Sequence, residues 1–232
     1  MPQLDWYYNE LQQIGVDFAS QAEVEAYDRK QTSNSPEACR ELLDRLGVGA
    51  EDTLLEFGTA TGTLTLEAAK RCRHAHGVDV SQAMVDYART KARVAELSNV
   101  TFVHAGFLSY VHEDEPVDFV LSKFALHHLP DFWKARALKN VAAALRLGGR
   151  FYLKDVVFSF DITDADTAIE TWIEDVTKHS GFTRSEFEMH VREEYSTYDW
   201  LLDELLEKAG FKILEKNCES PTYAEYLCER VS

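Results

Sequence analysis

Short runs of β-branched and aromatic residues alternate along the chain with longer segments whose apolar positions recur every three or four residues. Thr53-Leu54-Leu55-Glu56-Phe57-Gly58 reads as a strand ending on glycine, and 76–80, 100–104, 117–122 and 150–158 read as four more. Between them the period is helical. Ser81 can cap a helix over 82–97, whose Met84, Val85, Ala88, Ala92 and Ala95 form one apolar stripe. Asp131 precedes a second stripe, Phe132, Ala135, Leu138, Val141 and Leu145, with Gly148-Gly149 as its expected left-handed stop. This alternation predicts right-handed βαβ crossovers and a doubly wound, mostly parallel α/β sheet with helices on both faces, so that ligands belong at the carboxyl ends of the strands.

The end of the chain breaks the rhythm. A helix over 198–209 is followed by strand-like runs at 211–218 and 224–231, joined by Glu219-Ser220-Pro221-Thr222. A terminal β-hairpin is expected, one strand of which enters the sheet antiparallel. Two regions lie outside the alternation. Residues 1–31 are rich in aromatic and acidic side chains, and 161–197 carry a helical pattern around Ala168, Ile169, Trp172, Ile173 and Val176, then a capping box at Thr183 and Glu186. Either could cover the carboxyl edge of the sheet or simply pack against it.

Composition narrows the partners. The 232 residues, 45% hydrophobic and 28% charged, suit one globular domain and exclude disordered or fibrous classes. With 24 basic against 40 acidic residues the net charge is −16, a field that repels nucleic acid and anionic membrane surfaces; neither is an expected partner. No run approaches the roughly 20 apolar residues that span a bilayer, and the expected location is cytoplasmic. Cys39, Cys72, Cys218 and Cys228 lack C-x-x-C spacing, so reduced, buried thiols and no metal are expected.

The first strand runs into Glu56-Phe57-Gly58-Thr59-Ala60-Thr61-Gly62 and then a helical segment from Thr63. Glycine at 58 and 62 permits positive φ and close approach of a ligand to the backbone, while the helix start offers unpaired N–H groups to a carboxylate or anion. About 20 residues on, Asp79 closes the second strand, where a carboxylate can accept hydrogen bonds from both hydroxyls of a ribose. A nucleoside cofactor is indicated. An NAD-dependent oxidoreductase would want Gly at 58, 60 and 63, but the chain has Ala60 and Thr63. Tyr87-x-x-x-Lys91 has the spacing of short-chain reductases but lies on the helix just after Asp79.

Four motifs in order resemble the class I S-adenosylmethionine-dependent methyltransferases. Glu56-x-Gly58-x-Ala60-x-Gly62 is similar to that family's acidic-x-Gly-x-Gly-x-Gly loop, and Gly-Val-Asp79-Val-Ser to its ribose-binding strand end. The run 117–122 followed by Leu126-His127-His128-Leu129 resembles the fourth-strand motif of its small-molecule members, and Leu145-Arg-Leu-Gly148-Gly149-Arg-Phe-Tyr-Leu the stretch before its fifth strand. The resemblance covers nearly the whole chain. It implies a Rossmann-like sheet of seven strands, the hairpin supplying the antiparallel one, and S-adenosyl-L-methionine as cofactor. Glu56, Gly58, Thr59, Ala60 and Gly62 would hold the methionine end, Asp79 the ribose, and Ser122 would line the methyl-bearing side. The family often places an Asp after the third strand for the adenine amino group, whereas here the run is His104-Ala105-Gly106-Phe107. Adenine would then rest on backbone near Gly106 and on Val80, Met84 and Phe107.

Methyl transfer from a sulfonium needs alignment, exclusion of water and, for some acceptors, a base. His127 and His128 follow the fourth strand and are the candidate bases, with Asp155 as a further one; Tyr27 and Arg29 could close over the methionine carboxylate. Ser122-Lys123-Phe124-Ala125 is not the Pro-Pro-Tyr type of amine-methylating DNA enzymes, and no cysteine lies there for cytosine-C5 chemistry. A small-molecule acceptor comes first, with Trp6, Tyr7, Tyr8, Trp172, Phe182, Phe187 and Tyr195 available for an aromatic pocket or for a dimer face, and a protein or peptide acceptor stays open because an acidic surface could recruit a basic tail. The expected organisation is one methyltransferase domain, as a monomer or homodimer: 1–35 an N-terminal cover, 36–160 the cofactor-binding core, 161–197 a helical insertion or lid, and 198–232 the closing helix and hairpin. The alternatives are an NAD-dependent oxidoreductase and a non-catalytic nucleoside-binding regulatory protein.

Overall fold

The computed structural model describes residues 5–12, 24–25, 28, 34–179 and 183–232. Along the sheet the strands run β3-β2-β1-β4-β5-β8-β7, with the two-residue β6 added to β5. The chain divides into two compact units, the division falling between Phe119 and Val120, inside β4 (Val117–Lys123).

In the first unit, helix α1 (Pro36–Leu46) begins where the Ser35 side chain accepts from Ala38 N–H and ends at Gly47 in the left-handed region; it buries Cys39, Leu43 and Leu46. Strands β1 (Thr53–Phe57), β2 (His74–Asp79) and β3 (Val100–His104) pair parallel, with Leu55 opposite His76 and Gly77 opposite Phe102. Helix α2 (Thr63–Ala69) follows β1, and α3 (Gln82–Val94) follows β2 with Ser81 capping Met84 N–H as expected. Val85, Ala88 and Ala92 of the predicted stripe pack with Leu66 and Phe102. Burying such side chains contributes roughly 1.5–3 kcal/mol each for the larger ones, which fixes the helix over the sheet.

The second unit holds helix α4 (Asp131–Ala144), β5 (Leu145–Phe158), α5 (Ala165–His179), α6 (Arg184–Glu193), β6 (Thr197–Tyr198), α7 (Asp199–Ala209), β7 (Phe211–Ser220) and β8 (Tyr223–Arg230). The closing hairpin turns at Pro221-Thr222, and β8 pairs antiparallel with both β5 and β7, placing Leu153 opposite Tyr226. The capping box at Thr183 and Glu186 opens α6 as predicted.

Three expectations need correction. Gly148-Gly149 does not stop a helix: α4 ends at Ala144, Leu145 is already extended at ψ 149°, and Gly148, at φ 73°, lies within β5. Phe132 does not belong to the buried stripe. It is 69% exposed, and α4 instead buries Trp133, Lys134, Ala137, Leu138 and Val141, the face rotated by one residue. Cys218 is exposed, while Cys39, Cys72 and Cys228 are buried, and all four are free thiols.

Candidate active site

The turn after β1 is built from backbone. Gly58 N–H and Thr59 N–H both donate to Val78 C=O (2.9 and 3.1 Å), tying the loop to β2, and Gly62 N–H closes it on Thr59 C=O at 2.8 Å. Gly58 and Gly62 have φ of 72° and 79°, and Ala60 between them is also left-handed at 47°, where a methyl group is strained. At Gly62 a side chain would also collide with Ala88 at 2.8 Å. Glu56, buried beneath the loop, accepts from Thr59 Oγ1 (3.0 Å) and Thr65 Oγ1 (2.5 Å), so its carboxylate braces the turn from below.

Asp79 stands at the end of β2. Ala60 N–H donates to its Oδ2 and Ser81 N–H to its Oδ1, each at 2.8 Å, so one carboxylate orients the glycine turn and the start of α3 together. Burial raises its pKa, and the two N–H donors only partly offset that. Two hydroxyl donors from a diol would relieve the same cost. Val80 lies against Gly106, where an added Cβ would come within 2.7 Å of its Cγ1. Met84 is buried at the start of α3, and Phe107 is buried and stacked on Phe57 with centroids 4.6 Å apart.

Two acids missed by sequence reasoning enter this unit. Glu10 accepts from Leu108 N–H (2.9 Å) and Ser109 N–H (2.7 Å), and its carboxylate lies where a Cβ on Gly106 would stand. A carboxylate is thereby present after β3 although the local sequence has none. Asp28 accepts from Thr61 Oγ1 (2.5 Å) and Lys91 Nζ (3.0 Å), with Tyr87 Oη at 3.4 Å, which gives the Tyr87 and Lys91 pair a place in the loop's support. Nothing in the spacing of Glu10 or Asp28 signalled these contacts. Tyr27, Arg29 and Phe182 lie outside the described residues.

The second unit carries a different site. After β4 a 3-10 turn (Leu126–His128) holds the two histidines. His127 is buried: its Nδ1 bonds Asp155 Oδ1, and its Nε2 lies 3.1 Å from Glu194 Oε2. Asp155 also accepts from Leu126 N–H (2.9 Å), His127 N–H (3.2 Å) and Val156 N–H (2.8 Å). Burial opposes charge on His127, but the charge of Asp155 and hydrogen bonds from Asp155 and Glu194 outweigh it and push its pKa up to about 9. Burial likewise opposes ionisation of Asp155 and Glu194, yet His127 holds both carboxyls below their ordinary range. Asp155 is therefore the ion-pair partner of His127. His128 keeps 46% of its side chain exposed, with Glu194 Oε2 at 4.0 Å. Desolvation, then the neighbouring His127 charge, push it down, so it is neutral at pH 7. Ser122 is fully buried on β4, and its hydroxyl has no hydrogen-bond partner among the described residues. Trp172 packs with Val156, Val176, Phe124 and Phe187, and Trp6 is 61% exposed.

A family model described as a methyltransferase domain matches residues 54–149. An uncharacterized methyltransferase of Geobacillus kaustophilus is 31% identical over 170 residues, covering 73% of this chain and 74% of that protein. One from a Geobacillus species, strain WCH70, is 29% identical over 173 residues, covering 75% and 76%. A SAM-dependent methyltransferase from Aquifex aeolicus superposes with a TM-score of 0.65 at 17% identity, covering 91% of this chain and 99% of that one. Sheet order, glycine turn and strand-end acid define a class I methyltransferase, the class whose methyl donor is S-adenosyl-L-methionine. The chain belongs to the methyltransferase family. No helix among the described residues is long and apolar enough to cross a membrane.

Proposed function

We propose that the protein transfers a methyl group from S-adenosylmethionine to a small-molecule acceptor. The observation that carries the donor half is Asp79, whose buried carboxylate is aimed by Ala60 and Ser81 N–H groups beside a left-handed glycine turn. In this reading Asp79 takes the ribose hydroxyls, the Gly58–Gly62 turn with Thr59 and Ala60 carries the methionine end, and Glu56 keeps that turn in shape. Val80, Met84, Gly106 and Phe107 are assigned to the adenine and Ser122 to the methyl-bearing part.

Held by Asp79, the Gly58–Gly62 turn and the groups assigned to the adenine, the donor would supply an activated methyl on a sulfonium. What the chain adds is placement and a destination for a proton. Both ring nitrogens of His127 are engaged, one by Asp155 and one by Glu194, so that ring orients rather than accepts. His128 is exposed and neutral, with a lowered pKa that makes it a weak holder of protons, and we assign it to pass the proton lost by a hydroxyl or amine acceptor on to water. The net charge of −16 supports a small acceptor over a polyanion.

The test is turnover of methyl-labelled S-adenosylmethionine with a panel of phenols, amines, thiols and carboxylic acids. Label transfer to a panel member, lowered by His128→Ala with donor affinity kept, is the expected result. Binding of the donor without transfer to any acceptor would favour a regulatory nucleoside-binding protein.

A further inference from the structure

His190 and Glu194 stand four residues apart at the end of α6, a spacing that brings both to one face, and His127 lies in the 3-10 turn after β4. One nitrogen from each histidine and one oxygen of Glu194 lie within 4.8 Å of one another. Ligands on a tetrahedral zinc ion, each about 2.0–2.2 Å from the metal, are roughly 3.3–3.6 Å apart. Small rotations about the side-chain bonds would bring this trio to that spacing.

Each donor is held from behind. Asp155 takes His127 Nδ1, which directs Nε2 at Glu194, and Ser196 Oγ lies 2.9 Å from His190 Nε2, which directs Nδ1 at the same carboxylate. Tyr195 N–H donates to His127 C=O at 2.8 Å and so fixes the residue next to Glu194 onto the turn that carries His127. The side chains of His127, His190 and Glu194 keep only 7%, 12% and 10% exposure. Carboxylate or hydroxyl partners on the far ring nitrogen are the arrangement that sets tautomer and direction in metal-bound histidines.

We propose that His127, His190 and Glu194 form a binding site for a divalent first-row transition ion of the zinc type, with a fourth position open to water or to an acceptor oxygen. Two imidazoles and one carboxylate suit Zn²⁺, Co²⁺ or Fe²⁺; Mg²⁺ and Ca²⁺ want all-oxygen shells, and Cu⁺ wants sulfur. On binding, the histidines would give up their protons as ligands must, and the carboxylates of Glu194 and, behind His127, Asp155 would then balance a dication. The competing arrangement is an ion-pair cluster in which Glu194 accepts from both histidines and no metal enters. The proposal does not depend on the identity of the methyl acceptor, since its test reads metal binding alone.

The full chain, stripped with a chelator, is titrated with Zn²⁺ by calorimetry and with Co²⁺ by visible absorption. One equivalent should bind, with the intense d–d bands of a low-coordinate cobalt site. His190→Ala and Glu194→Gln should each weaken Zn²⁺ binding at least tenfold, and the gentler Ser196→Ala, which removes only the rear hydrogen bond, should weaken it about tenfold. His76→Gln, in the first unit's separate histidine cluster, should leave it unchanged, and circular dichroism should confirm that each variant is folded. Absence of stoichiometric binding, or binding that survives both His190→Ala and Glu194→Gln, would reduce the trio to an ion-pair cluster.

Discussion

The two units bury histidine in opposite states. In the first, His76 sits in β2 with the His74 ring 4.5 Å and the His112 ring 5.1 Å away, and desolvation, then the charges of those neighbours, push its pKa down to about 4. In the second, His127 is buried as deeply but lies between Asp155 and Glu194 and is pushed up to about 9. Burial by itself disfavours the cation in both, so the difference comes from whether a carboxylate faces the ring. The same contrast runs through what each unit offers: backbone amides, left-handed turns and one strand-end acid in the first, ionisable side chains held by one another in the second.

Breaking the second unit's network should have the largest effect. Asp155→Ala leaves buried His127 without its nearest charge and three backbone N–H groups without their acceptor, and it should cost about 3–5 kcal/mol in denaturant unfolding. A loss below about 1 kcal/mol, the size of a surface pair, would mean the network is solvated. The first unit should respond to acid instead. Because the folded pKa of His76 is depressed, its contribution is complete above about 6.5 and is lost as pH falls toward about 4, where the unfolded chain takes up a proton that the folded one refuses. The difference in stability between the protein and His76→Gln should shift by about 2–3 kcal/mol across that window. A difference independent of pH would show that His76 titrates normally.

Asp79→Ala removes the acceptor assigned to the ribose and should weaken S-adenosylhomocysteine binding by about 1.5–3 kcal/mol without unfolding the protein, as read by calorimetry and a thermal melt. The smallest effect is expected at Ala60. With φ at 47° it occupies a conformation glycine adopts freely, so Ala60→Gly should raise stability by about 0.5–1 kcal/mol, the relief of left-handed strain less the added entropy of the unfolded chain. A loss of stability there would place the methyl in a packing role.

What was legible in the sequence was local. Glu56 through Gly62 and Asp79 could be read because turn, strand end and helix start follow one another within a short stretch, and the Ser81 and Thr183 caps are likewise decided by residues three apart. The helix boundary at Ala144 was misread because glycine is a strong stop signal, and a glycine pair inside β5 imitates one. The support of the site was hidden by distance: Glu10 reaches Leu108 and Asp28 reaches Lys91 across intervals that no period reports. His190 and Glu194 have helical spacing but were not singled out, and their meeting with His127 depends on how α6 returns to the turn after β4. The expectation of no metal had weighed only the cysteines and the histidines beside them.

The measurement that bears most directly on the division of labour is calorimetric titration of S-adenosylhomocysteine into the protein, Asp79→Ala and His128→Ala side by side. The protein and His128→Ala should bind with equal, micromolar affinity, and Asp79→Ala should bind at least tenfold more weakly. Normal binding by Asp79→Ala, or an equal loss in His128→Ala, would contradict a donor site built on the strand-end acid and a separate acceptor side built on the histidines.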